Sequence, residues 1–124
     1  MNTFGIAGLQ LEGQRGNNVD SMIEEIDTVK RRFPWVQMVL LGELNAFGAR
    51  VEDAEPLPSG TEQRFAEAAR RNAVWLIPGT LYERAGADVY NTASVIDPAG
   101  KVIARYRKVF PFCPYEQNVA CGNE

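Results

Sequence analysis

Histidine is absent from the 124 residues of this chain. That absence removes every Ser-His and Cys-His mechanism, and most zinc sites, from chemistry these residues could perform by themselves. Cysteine is scarce, with Cys113 and Cys121 the two present. Their spacing alone leaves a disulfide open. The opening stretch Met1 to Leu11, however, has neither the basic start nor the long apolar core of a secretory leader. The expectation is a cytoplasmic, reduced protein with two free thiols. A basic face is also missing. The formal charge is -3, and the cluster Lys30-Arg31-Arg32 falls at the end of a helical pattern, where positive charge suits the helix dipole. Without the basic surface that counterion release requires, no nucleic-acid partner is expected. Neither a membrane partner nor a cofactor or metal is expected. No internal repeat or low-complexity segment occurs.

The composition is that of an ordinary soluble globular chain, and the length allows one domain, residues 1–124. Thr3 to Glu12 reads as a strand, with Phe4, Ile6, Leu9 and Leu11 apolar, followed by a Gly/Asn turn. A helix follows, capped by Asn17 or Asn18. Val19, Met22, Ile23, Ile26, Val29 and Phe33 recur on one face at three- and four-residue intervals until Pro34 stops it. Val36 to Leu41 is a short continuous apolar run, typical of a central strand covered on both faces. After a Pro- and Gly-rich loop a second helix spans about Thr61 to Asn72, with Ser59 or Thr61 as its cap and Phe65, Ala68 and Ala69 inward. Ala73 to Leu81 predicts one further strand. Val89 to Ile96 and Lys101 to Tyr106 then form an antiparallel meander. Its turns are Arg84 to Asp88 and Asp97-Pro98-Ala99-Gly100. The sum is an α/β fold, a mixed sheet with helices on one face, which leaves the other face unaccounted for.

Three charges stand out against this apolar background. Glu43 lies just past the run Val36 to Leu41, where a buried strand ends. Lys108 and Glu116 lie eight residues apart in a segment otherwise almost wholly apolar or aromatic. Two acids and a lysine at strand ends are the skeleton of a polar site in a dry scaffold. Each has a plainer reading when taken singly: Glu43 as a solvent-facing strand end, Lys108 as an edge-strand charge, Glu116 as a loop acid. Their joint appearance is what argues for a site.

The ordered set Leu41-Gly42-Glu43-Leu44, Trp75 to Thr80, Asn91-Thr92, Val95 to Gly100 and Tyr106-Arg107-Lys108 resembles the nitrilase superfamily of carbon-nitrogen hydrolases. The stretch Lys108 to Glu116 is similar to the lysine-to-glutamate segment of aliphatic amidases and formamidases. Gly42 departs from the proline many members carry before the glutamate, and Val109 from a histidine that often follows the lysine. The resemblance implies a four-layer αββα sandwich with helices outside, of which this chain would supply the amino-terminal half, and assembly as a homo-oligomer. It implies hydrolysis of a small amide or nitrile through a thioester. Glu43 would be the general base, its carboxyl raised by a dry site, and Lys108 the cation beside the oxyanion. Glu116 would position the lysine and substrate and join the proton traffic.

The family's nucleophilic cysteine belongs to a later strand-to-helix turn that this sequence does not reach, so the chain alone is expected to be inactive. Cys113 is not read as that nucleophile, because Pro111 and Pro114 bracket it in an extended loop with no helix terminus or neighbouring base to activate it. Cys121 follows Glu116 too closely. The alternatives are a catalytically inactive relative serving as an interaction module through its bare sheet face, and an enzyme of the same class that transfers the acyl group to an amine.

Overall fold

The computed structural model of the protein describes residues 2–123; Met1 and Glu124, at the two edges of the expected domain, lie outside them. Strand β1 (Gly5–Leu9) leads into helix α1 (Val19–Arg32) and strand β2 (Val36–Leu41). Helix α2 (Gly60–Asn72) then precedes β3 (Trp75–Ile77), β4 (Thr80–Ala85), β5 (Asp88–Ile96) and β6 (Val102–Arg107). The first three strands are parallel, β1 beside β2 and β2 beside β3, because each pair is joined through a helix. From β3 onward the pairing is antiparallel. Thr92 of β5 pairs with Leu81 on one side and Arg107 on the other, so β5 runs between β4 and β6.

The helices form where the apolar spacing placed them. In α1 the residues Val19, Met22, Ile26 and Val29 are buried against the sheet, and full burial of a side chain of this kind stabilises by about 1.5–3 kcal/mol. Phe33, expected on that face, is instead the C-cap residue and 47% exposed, since the chain leaves helical geometry there. The two candidate asparagines divide the N-terminal duties. Asn17 Oδ1 accepts from the Val19 amide, while Asn18 occupies the cap position and turns its side chain onto Gln14, Gly16 and Ala46. In α2 the Ser59 hydroxyl accepts from the Glu62 amide, so Ser59 is the cap. Asp27 joins the two helices by accepting from Arg71 and Asn72.

Three boundaries differ from the sequence reading. The first strand is shorter, Gly5–Leu9 rather than Thr3 to Glu12. The single strand expected from Ala73 to Leu81 is broken into β3 and β4 at Pro78-Gly79, where Gly79 takes φ +80° and passes against Gly42. The turn expected over Arg84 to Asp88 narrows to Gly86-Ala87, because β4 and β5 pair as far as Ala85 and Asp88. The Asp97–Gly100 turn forms as read, with Asp97 Oδ1 accepting from the Ala99 and Lys101 amides.

Val39, Leu41, Leu76 and Ile96 face the helices and are buried in the main core. On the opposite face Ile6, Met38 and Trp75 stand in one cross-strand row and Gly8, Leu40 and Ile77 in the next, none of them buried. The bare apolar face expected from the element order is therefore present. A smaller cluster of Tyr82, Val89 and Val119, packed against Leu44, Val51 and Ala54, closes the end of the sheet nearest the polar groups described next.

Candidate active site

Three separate parts of the chain deliver charge to one place. Glu43 follows β2 by way of Gly42, Lys108 is the first residue past β6, and Glu116 sits in the loop beyond it. The backbone holds each of them. Leu44 adopts a left-handed conformation, φ 53°, with its amide donating to Thr80 Oγ1, which fixes the exit from β2 beside Glu43. The Lys108 amide donates to the Asn91 carbonyl and the Lys108 carbonyl accepts from Gly122, so this residue is clamped between β5 and the returning chain. The Glu116 amide donates to the Phe112 carbonyl, closing a helical turn.

The side chains converge. Lys108 Nζ donates to Glu43 Oε1 at 2.8 Å and to Glu116 Oε2 at 2.8 Å. Glu116 Oε2 also accepts from the Phe112 amide at 2.6 Å. One further residue, Asn91 of β5, lies beneath both acids and donates through Nδ2 to Glu43 Oε1 at 2.8 Å and Glu116 Oε1 at 2.7 Å. Both Glu116 oxygens are thus occupied, whereas Glu43 Oε2 accepts no hydrogen bond among the described residues.

Burial separates the two acids. The Glu116 side chain is 4% exposed and the Glu43 side chain 53%, so the dry surroundings expected for Glu43 are not those the fold gives it. The cluster forms the floor of an open cleft of about 250 Å³, walled by Leu44, Ala49, Phe112 and Tyr115. Burial pushes the Glu116 carboxyl up, but Lys108, the Phe112 amide and Asn91 together outweigh it and hold the group below the usual carboxylate range. Its partners Glu116 and Glu43 raise the Lys108 ammonium above its ordinary value. Burial, followed by the charges of Glu116 and Glu43, raises the Tyr82 hydroxyl. At neutral pH the site therefore holds a permanent ammonium and a buried permanent carboxylate, with the Glu43 side chain open to the cleft beside them.

Asn91 entered the sequence reading only as part of the Asn91-Thr92 pair, with no role in a site, and Tyr82 did not enter it. A mid-strand asparagine between Tyr90 and Thr92 is an unfavoured choice in a sheet interior, and that, beside the place of Asn91-Thr92 in the family order, was the available signal. The two are direct cross-strand partners. Asn91 Oδ1 and the Tyr82 hydroxyl are both buried without a well-formed hydrogen bond among the described residues.

Neither cysteine hydrogen-bonds to this arrangement among the described residues. Cys113 and Cys121 are both free and exposed, and the Cys113 thiol approaches only the Pro111 carbonyl, at 3.8 Å. The loop around Cys113 is a tight turn rather than the extended segment expected, since Tyr115 and Glu116 both donate to the Phe112 carbonyl. A second set of ion pairs belongs to the helix-facing side. Arg105 pairs with Glu62 and Arg107 with Glu83, each at 2.6 Å, with Ser94 and Thr92 donating to the same two acids.

A mixed sheet with helices on one face, carrying a carboxylate, an ammonium and a second carboxylate at its strand ends, defines an α/β protein of nitrilase-like architecture. Residues 5–120 match the carbon-nitrogen hydrolase family, and the chain belongs to it. Among curated proteins it is similar to an omega-amidase of Homo sapiens, 35% identical over 68 residues that make up 53% of this chain and 25% of that protein. A formamidase of Bacillus cereus strain Q1 is 30% identical over 106 residues, 79% of this chain and 32% of that protein. Among solved structures, Nit3 of Saccharomyces cerevisiae superposes with a TM-score of 0.87 at 22% identity, covering 98% of this chain and 49% of that one. An amidase from Nesterenkonia sp. gives 0.80 at 22% identity, covering 98% and 48%. The chain thus spans about half the length of these solved relatives and a third or less of the curated ones. No helix among the described residues is long and apolar enough to cross a membrane.

Proposed function

We propose that this chain is the amino-terminal half of an amidase-like carbon-nitrogen hydrolase domain, acting on a small amide or nitrile through a thioester. The observation that carries the reading is the placement of Lys108 Nζ at 2.8 Å from both Glu43 and Glu116. In this reading Glu43 takes the proton of a cysteine thiol, and Oε2 is the oxygen left open to receive it. The thiolate attacks the amide carbon, and negative charge gathers on the carbonyl oxygen beside the Lys108 ammonium. Glu43 returns the proton to the departing amine as the carbon-nitrogen bond breaks and the thioester remains. Water, deprotonated by the same carboxylate, then adds to the thioester and releases the acid and the thiol. Because Lys108 is held protonated and Glu116 ionised, neither is suited to carry the proton. Glu116 instead anchors the ammonium, and the proton traffic first considered for it falls to Glu43.

The thiol comes from outside these residues, a reading supported by the absence, among the described residues, of any hydrogen bond from Cys113 or Cys121 to Glu43, Lys108 or Glu116. The apolar sheet face supports a second layer packed on it and assembly into homo-oligomers. The two free thiols favour a cytoplasmic setting. Ammonia release from short aliphatic amides is the test. The chain alone releases none, whereas a protein joining it to a second half of the same fold releases ammonia that Glu43→Gln abolishes. Release by the chain alone, or activity indifferent to Glu43→Gln, overturns the reading.

The same bare face favours one other role, an inactive interaction module. A folded protein that joins both halves yet forms no thioester with any short amide or nitrile would point there.

A further inference from the structure

Asn91 is 1% exposed and sits mid-strand in β5, the strand that contacts both β4 and β6. Its carbonyl accepts from the Lys108 amide, and its side-chain nitrogen is, among the described residues, the one group other than Lys108 that donates to both acids. The orientation of its amide is dictated by these neighbours. Two carboxylate oxygens within 2.8 Å of the same atom demand a donor there, which turns Oδ1 the other way, into a place where it has no partner. A side chain that leaves its own oxygen unsatisfied in order to supply two donors is set by the site rather than by packing.

We propose that Asn91 is a positioning residue that holds Glu43 and Glu116 in a fixed relation, supplying two donors without adding charge, where a smaller residue would leave the two carboxylates bridged by Lys108 alone. The lysine is a flexible point donor, able to follow either acid. Asn91 is short, buried and carried on the sheet, so it supplies the rigid reference. It fills Glu43 Oε1 jointly with Lys108, which leaves Oε2 turned to the cleft. For Glu116 Oε1 it is the one donor at well-formed hydrogen-bond geometry among the described residues. The inference deepens the hydrolase reading, but its test does not depend on turnover.

The experiment follows carboxyl and methylene resonances of Glu43 and Glu116 by carbon-detected NMR across an acid titration, in the wild-type protein and in Asn91→Ala. The expected result is an upward move of the Glu116 midpoint and collapse of the two distinct Glu43 γ-methylene proton signals into one averaged signal. A purely structural Asn91 would lower the melting temperature and leave both signatures where they were, and that outcome overturns the proposal. Asn91→Asp keeps the shape and replaces the donor by a third negative charge, so it should move the Glu116 midpoint upward further than Asn91→Ala does; a smaller move also overturns it. The wild type alone supplies a reading that needs no variant to fold. The Asn91 side-chain amide protons should exchange slowly and shift as Glu116 titrates, and fast-exchanging protons blind to that titration would contradict the role. Should these signatures hold while ammonia release fails in the joined protein, the hydrolase reading falls and Asn91 keeps its role.

Discussion

Lys108 Nζ stands 2.8 Å from Glu43 and 2.8 Å from Glu116, yet it joins an acid that solvent reaches to one that solvent does not. The pH dependence of stability follows from this asymmetry. Glu116 is held below its ordinary 4.5, so the stability it contributes is complete above that value and is lost as the pH falls through its depressed folded value. Glu62 and Glu83, also held low by their arginines, add to the same acid limb. Lys108 is raised above 10.5, so its share is complete below that value and is lost as the pH climbs through the raised one. Urea unfolding across pH should show a broad neutral plateau with a fall on either side. In Glu116→Gln the acid fall should be shallower, and an unchanged acid limb would contradict the assignment.

Removing Glu43 and removing Lys108 have different consequences. Glu43→Gln alters a half-exposed group and should change stability by less than about 1 kcal/mol while abolishing turnover in the joined protein. Lys108→Met leaves Glu116 buried without its cation. Deleting one member of a buried pair costs about 3–5 kcal/mol, and the partial exposure of Lys108 together with the remaining Asn91 and Phe112 donors lowers the expectation to about 2 kcal/mol. Chemical denaturation of the two variants separates a chemical role from a structural one.

The helix-facing ion pairs are structural by the same reasoning. Glu83 is 7% exposed and accepts from Arg107 through both oxygens and from Thr92, while Arg107 also lies 4.0 Å over the Tyr90 ring. Glu83→Ala should cost about 2–4 kcal/mol, because it strands the Thr92 hydroxyl and frees the arginine. Cys113→Ser, by contrast, touches an exposed thiol outside every network and should leave both the unfolding midpoint and any hydrolysis in the joined protein unchanged. Loss of activity in that variant would reopen Cys113 as the nucleophile.

Much of this was legible in the residues because it rests on local pattern. The period of Val19, Met22, Ile26 and Val29 determines α1, and the apolar run Val36 to Leu41 matches β2 from end to end. The meeting of Glu43, Lys108 and Glu116 was legible through their family order, since nothing local links groups 65 residues apart. What the sequence hid is tertiary. The break between β3 and β4 depends on Gly79 passing Gly42, and those two glycines are neighbours only after the sheet has formed. The role of Asn91 was hidden for the same reason: its value lies in two acids from other segments. The exposure of Glu43 also escaped, because a strand-end acid reads alike whether the space beyond it is open or filled.

Gly42 and Gly79 make the sharpest contrast. They pack against each other where β2 delivers Glu43, yet only one of them requires the absence of a side chain. A Cβ on Gly79 would lie 1.9 Å from the Gly42 carbonyl oxygen, and the position has φ +80°, so Gly79→Ala meets a backbone clash and a strained conformation together. Neither can relax without moving the β2 exit, the Leu44 turn that follows it and Glu43 itself. A Cβ on Gly42 would meet nothing within 4 Å. Gly79→Ala should therefore destabilise by more than about 3 kcal/mol and shift Glu43 away from Lys108, whereas Gly42→Ala should stay within about 0.5 kcal/mol of the parent. Denaturation midpoints of the two variants, with the Lys108 ammonium resonance as a reporter of its contact with Glu43, decide the matter: equal effects from both glycines would mean that the break between β3 and β4 does not set the position of Glu43.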